Sequence, residues 1–176
     1  MHSNHGLQLW AALPAKDEEV EPAFIHTPSL NIPTWEEDGL AIRVLIGQNF
    51  GLRSPVSTYT ETLFLDIRAI PGGTLELRPE LGERALYSVH SGLTVDGAHI
   101  EPGTMAVLAP TSSAMVEVPN GARFVVIGGG NLDGPRHLWW NFVSTRKERI
   151  EQAKSEWLAQ RMGAVPGDSE WIPLPT

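Results

Sequence analysis

Residues 73–92, GTLELRPELGERALYSVHSG, constrain this chain more than any other stretch. Glycine stands at both ends, and two short runs, TLELRP and RALYSVHSG, are split by the turn residues of LGE. Runs this short, bounded by turn formers, read as paired β-strands rather than helices. The same grammar extends to both sides. LAIRVLIG ends at Gly47, and TLFLDIRAI alternates Leu63, Leu65 and Ile67 against Phe64, Asp66 and Arg68. LTVDG closes on Asp96-Gly97, a hairpin signal. AHIEPG, TMAVLAP, MVEVP and ARFVVIGGG follow, with another turn at Asn120-Gly121. About eight strands at regular spacing predict an all-β barrel of jelly-roll type.

Composition agrees. With 17 glycines and 14 prolines in 176 residues, turns are frequent, and 41% hydrophobic residues suffice for one sizeable core. A net charge of −8 argues against nucleic acid, whose phosphates this surface would repel. Arg146, Lys147 and Arg149 sit among acids and read as a solvated helix face. There is no cysteine, so disulfides and thiolate chemistry are excluded. HSNHG after Met1 offers neither a basic nor an apolar leader region, and no apolar run is long enough to span a bilayer. The expectation is a cytoplasmic protein, with neither membrane nor nucleic acid as partner.

The flanks divide the chain further. HGLQLWAAL alternates Leu7, Leu9 and Ala11 against Gln8, Trp10 and Ala12, a strand pattern with no hairpin partner before it. Such a strand either joins the barrel sheet or pairs with another chain. Residues 14–38 hold four prolines and an acidic run without periodicity, which predicts a surface-following linker containing a structural or exposed His26. Gly128-Gly129-Gly130 fails the dinucleotide spacing, because Asp133 takes the last glycine position. Near the C-terminus, Thr145 and Glu148 fit a capping box, and Ile150, Ala153, Trp157, Leu158 and Met162 form one helical stripe stopped by Gly163. The predicted organisation is an N-terminal strand and linker over 1–38, a barrel over 39–130, and a C-terminal helix and tail over 131–176 packed on the barrel.

The 73–92 frame resembles the first cupin motif: glycine, five residues, His-x-His, three or four residues, glutamate, six residues, glycine. Counting from Gly73, the histidine slots fall on Pro79 and Leu81, the glutamate slot on Ala85, and the last glycine is Gly92. A second motif started at Gly103 brings its proline one residue late, as Pro110, and its histidine slot onto Ala114 or Met115. Metal in such a barrel needs converging imidazoles and carboxylates, and these residues supply none. Two readings follow for the vacated positions. Pro79, Leu81, Ala85, Ala114 and Met115 line an apolar ligand pocket with Tyr87 as its polar handle, or they simply fill the barrel.

Two further stretches resemble the C-terminal half of the pirin family. These are His5-Gly6-Leu7-Gln8-Leu9-Trp10, and Gly134-Pro135-Arg136-His137-Leu138-Trp139-Trp140-Asn141-Phe142 running on through VSTRKERIEQAKSEW. Val165-Pro166-Gly167-Asp168 and Ile172-Pro173-Leu174-Pro175 resemble bacterial members too. The resemblance implies a single cupin (double-stranded β-helix, jelly-roll) barrel with a C-terminal α-helix and extended N- and C-terminal arms. Pirins are bicupins whose metal, typically iron, is held by three histidines and a glutamate of the N-terminal barrel. Several members resemble quercetin dioxygenases, and animal members are transcriptional cofactors. His2-Ser3 is similar to the family's last ligand motif, His-Ser-Glu, but Asn4 stands in the glutamate's place.

Three functional readings result. The first is a stand-alone pirin C-terminal cupin, metal-free and non-catalytic, that acts as a binding or interaction module without a cofactor. The second is a quercetin 2,3-dioxygenase-like enzyme using iron or another divalent metal. It would draw ligands from His2, His5, His26, His90, His99 and His137, of which His90 and His99 flank the Asp96-Gly97 hairpin. The third is a fragment whose metal-bearing half lies upstream. A lone barrel would leave apolar surface uncovered, which predicts a homodimer with the N-terminal strand exchanged.

Overall fold

The structure, a computed structural model, describes residues 6–175. The chain divides into two compact units, one of residues 22–131 and one joining the residues up to Glu21 to those from Leu132 onward. The segment read as linker thus splits at Glu21, and its second half belongs with the barrel.

The 22–131 unit contains β1 (Thr34–Glu37), β2 (Leu40–Ile46), β3 (Gln48–Asn49), β4 (Leu52–Arg53), β5 (Thr62–Ala69) and β6 (Gly73–Leu77). It continues with β7 (Glu83–Ser88), β8 (Leu93–Val95), β9 (Ala98–Ile100), β10 (Met105–Leu108), β11 (Ala114–Val118) and β12 (Arg123–Gly129). Two antiparallel sheets form the barrel, in the orders β1-β2-β5-β12-β7-β10 and β6-β11-β8-β9, while β3 and β4 make a separate hairpin. Alternation decides which side chains enter the core. Leu40, Ile42 and Val44 are buried on β2, Leu63, Leu65 and Ile67 on β5, and Ala114, Val116 and Val118 on β11. Register aligns Val44, Leu65, Val126 and Leu86 in one transverse row, each at most 1% exposed. Each such side chain contributes about 1.5–3 kcal/mol by leaving water.

Two features of the motif frame have a local cause. A Cβ on Gly73 would run into the Asp38 carbonyl oxygen, and one on Gly92 would lie 2.5 Å from the His99 ring. Gly73 is therefore required by the close approach of another backbone segment, whereas the exposed His99 ring beside Gly92 is free to turn aside. The expected Asp96-Gly97 turn joins β8 to β9 with φ of 49° and 81°. Asp38-Gly39 makes the same kind of turn between β1 and β2, with φ of 48° and 80°. Thr34–Glu37 is consequently a strand and not linker.

The other unit contains β13 (His137–Trp139), β14 (Phe142–Ser144) and α1 (Lys147–Leu158). The β13–β14 hairpin and α1 share an aromatic cluster: Trp157 meets the Trp140 ring at 5.2 Å and Phe142 at 6.4 Å. Lys154 Nζ lies 4.2 Å above the Trp139 ring, within cation–π reach. Residues 6–14 do not form the expected strand; no strand of the described residues pairs with them. The N-terminal arm is fastened at two points instead. Arg136 donates to the Leu13 carbonyl at 2.7 Å and pairs with Asp133, which also accepts the Ala15 amide at 2.8 Å. Glu18 accepts from the Thr145 amide (2.8 Å), the Thr145 and Ser144 hydroxyls (2.9 and 3.1 Å) and Arg146 Nε (3.3 Å).

That second clamp corrects the expected capping box. Thr145 donates its hydroxyl to Glu18 rather than accepting from the helix, and Arg146, at the N-cap, makes no side-chain cap. A carboxylate from a distant segment places its charge at the positive end of α1 instead. The helix also ends at Leu158, short of Met162, and only Ile150 and Ala153 of the predicted stripe are buried. No helix among the described residues is long and apolar enough to cross a membrane.

Candidate functional site

The vacated ligand slots do not meet. Pro79 is exposed in the β6–β7 loop. Leu81 is half-buried against the core and lines a hollow of about 510 Å³ with Ser54, Val56 and Thr62. Ala114 belongs to the core cluster and borders a different hollow, of about 230 Å³, with Val95, Ile100 and Leu108. Met115, its neighbour on β11, points the other way and is exposed. On β7 Leu86 joins the core cluster, so the alternation turns Ala85 and Tyr87 to the opposite face of the strand, where Ala85 is buried and Tyr87 half-buried. The six positions therefore outline no common pocket, and the interior is filled by aliphatic side chains and Phe124.

The same alternation puts Arg84 on the Leu86 face. Arg84 is 3% exposed, and its guanidinium donates to four backbone carbonyls. Nη1 reaches Leu77 O (2.8 Å) and Arg78 O (2.6 Å), beside the Pro79 slot. Nη2 reaches Ala109 O (2.9 Å) and Ser112 O (2.7 Å), in the loop before the Ala114 slot. A buried cation with no carboxylate beside it is stabilised here by four oriented carbonyl dipoles, and Nε alone is left without a partner. Arg84 thus ties the first motif to the second, as a shared ion would. These residues do not fit a hard metal ion: the slots carry no imidazole or carboxylate, and the buried Arg84 guanidinium between the two loops carries a positive charge.

The histidines offer no substitute among the described residues, where no group of three or more His, Asp or Glu side chains is placed to hold an ion. His99 lies across from Thr94 and within 3.4 Å of the Glu101 carboxylate, both side chains being largely exposed. His26 and His137 are exposed. His2 and His5 lie outside the described residues.

A hollow of about 680 Å³ lies where the sequence pointed to no site. The β1–β2 hairpin, the β3–β4 hairpin and β6 enclose it. Trp35 on β1 and Phe50 in the β3–β4 turn form its aromatic wall, stacked with centroids 4.8 Å apart and planes 11° from parallel. Phe50 has a φ of 50°, a conformation that costs a bulky side chain about 1–3 kcal/mol. Asn49 accepts the Phe50 amide at 3.0 Å and donates to Glu80 at 3.0 Å, fixing the turn. Four carboxylates, Glu37, Asp38, Glu76 and Glu80, border the hollow together with the guanidinium of Arg78. Hydrogen bonds from the Ser113 hydroxyl and from Arg78 hold the Glu76 carboxyl below the usual glutamate range, so it is ionised at neutral pH. Asp38-Gly39, flanked by TWEE and LAIRV, was the available signal for this hairpin.

Residues 64–163 match the model of the pirin C-terminal cupin domain. The chain belongs to the pirin family. It is 38% identical over 172 residues to a pirin-like protein of Caulobacter vibrioides, covering 97% of this chain and 59% of that protein. A putative quercetin 2,3-dioxygenase of Pseudomonas aeruginosa is 33% identical over 156 residues, covering 87% of this chain and 49% of the other. Human pirin is 35% identical over 156 residues, covering 85% and 54%. Among solved structures, a quercetin 2,3-dioxygenase from Acinetobacter baumannii superposes with a TM-score of 0.85 at 29% identity, over 94% of this chain and 56% of that one. This pirin chain therefore spans about half the length of the relatives it matches. The Gly134–Phe142 stretch that carries the resemblance supplies Arg136, whose side chain is 7% exposed and anchors the N-terminal arm.

Proposed function

We propose that this pirin-family chain is a metal-free, non-catalytic cupin that acts as a binding module. The observation that carries the reading is Arg84: a buried, fixed cation bridges the two motifs whose side chains would otherwise share an ion. The ligand site of such a module is the Trp35–Phe50 cleft, because the barrel interior is already filled. The test is metal analysis and quercetin turnover on protein purified without a histidine tag. Metal well below stoichiometric and no oxygenation of quercetin are expected. Iron, nickel or copper at one per chain, with turnover, would overturn the reading.

The rival reading, a quercetin 2,3-dioxygenase-like oxidoreductase with iron or another divalent metal, draws on the names of the Pseudomonas and Acinetobacter relatives. Those proteins extend well beyond the half matched by this chain, and the same assay decides between the two. We further propose a cytoplasmic homodimer. Edge strand β10 supports it, since Met105 and Val107 stand exposed there, Val107 at 82%. Light scattering at micromolar concentration is expected to give twice the chain mass, and a monomer mass would exclude this.

A further inference from the structure

The Trp35–Phe50 cleft has an edge as well as a wall. β6 is the terminal strand of its sheet and pairs with β11 on one side only. The cleft touches Thr74, Leu75 and Glu76 in succession. Successive side chains of a strand point to opposite faces, so a hollow that meets all three runs along the strand's edge. Such an edge offers backbone N–H and C=O groups to an incoming strand. Across the cleft stands β1, itself the terminal strand of the other sheet.

Charge selects the occupant. The bordering carboxylates outnumber Arg78, which is already paired with Glu76 at 3.2 Å. The aromatic wall presents electron-rich ring faces that favour a cation. Phe50 is held in an unfavourable backbone conformation at the one place where it stacks on Trp35, as a side chain kept for binding would be. We propose that the cleft binds an extended basic peptide, which adds a strand to β6 and lays lysine or arginine side chains against the Trp35–Phe50 pair. The inference rests on the binding role proposed above and names its ligand class. β6 has five residues, so the matched stretch is about five residues, or ~17 Å at ~3.3 Å each. Proline is excluded at those peptide positions that donate to β6. The chain's own basic run does not qualify, because Arg146 and Arg149 are engaged by Glu18 and Glu19.

The test titrates a capped pentapeptide alternating arginine and valine, and its glutamate-for-arginine counterpart, into the full chain. Affinity is read by calorimetry, and amide exchange of β6 by NMR. The arginine peptide is expected to bind at least tenfold more tightly than the glutamate peptide and to slow exchange of outward β6 amides at least tenfold. Glu37→Lys combined with Glu76→Lys is expected to weaken binding tenfold or more, and Phe50→Asn to weaken it at unchanged fold. Equal binding of both peptides, no binding, or binding that leaves β6 amides unprotected overturns the proposal. Metal content is measured on the same samples. Stoichiometric metal would sink the metal-free reading whatever the peptide does, whereas metal-free protein indifferent to the arginine peptide sinks only the cleft inference.

Discussion

Replacing Arg84 is the sharpest test of how this barrel holds its two motif loops together. Hydrogen bonds to a charged donor contribute about 1.5–3 kcal/mol each, while taking a guanidinium out of water costs several kcal/mol. With four carbonyls satisfied by a 3%-exposed side chain, the balance favours the folded arrangement. Arg84→Met keeps much of the volume but strands all four carbonyls, a loss of about 3–5 kcal/mol by analogy with breaking a buried pair. For a chain of this length, that lowers the unfolding midpoint by about 6–20 °C. Arg84→Lys is expected to recover only part of the loss, because a compact ammonium with three donors cannot span both loops as the planar fork does. The assay is thermal unfolding by circular dichroism, with urea titration as a check. If Arg84→Met melts within about 2 °C of the parent, water replaces the guanidinium without cost and the cross-link argument fails.

The other clamps make separate predictions. Burial alone would raise the Glu18 pKa, but the Thr145 amide, the Thr145 and Ser144 hydroxyls and Arg146 outweigh it and lower the value. A lowered folded pKa gives stabilisation that is complete above the ordinary glutamate value, about 4.3, and lost as pH falls through the folded value. Exchange protection of the Thr145 amide should therefore drop in acid, and Glu18→Gln should abolish that dependence; protection unchanged down to about pH 3 would contradict the clamp. Gly73→Ala places a methyl against the Asp38 backbone carbonyl and should destabilise by about 1–3 kcal/mol in urea unfolding, whereas a neutral result would show that the turn simply shifts. Phe50→Asn exchanges a strained φ for a residue that accepts it, so stability should stay within about 1 kcal/mol of the parent. A loss beyond about 2 kcal/mol would mean that the stack on Trp35 serves the fold rather than a ligand.

Much of the barrel was legible because each of its strands carries its own signal. Leu63, Leu65 and Ile67 alternate on β5 whatever their neighbours do, and Asp96-Gly97 demands a left-handed pair within two residues. The family was legible for a similar reason: the Gly134–Phe142 run is a contiguous string. What failed were inferences in which a local pattern stood in for a distant partner. Thr145 and Glu148 spelled a capping box, but the charge at the helix start comes from Glu18, 127 residues away from Thr145. Leu7, Leu9 and Ala11 alternate like a strand, yet among the described residues no strand pairs with them.

The candidate site was missed for a related but more instructive reason. Counting along the motif fixes how many residues separate the slots, whereas facing depends on how the β6–β7 loop spends those residues. β6 ends at Leu77 and β7 begins at Glu83, so the loop absorbs the Pro79 and Leu81 slots, and β7 then enters the sheet with Arg84 and Leu86 inward. A one-residue change of phase exchanges the entire set of inward side chains. Ala85 and Tyr87 thereby lie on the face of β7 opposite Leu86, where Ala85 is buried and Tyr87 half-buried, and Arg84, which the sequence reading did not single out, is the most buried cation of the barrel unit. The cleft could not be read from such counting either, because it needs β6 at the end of its sheet and Trp35 from a different sheet beside it.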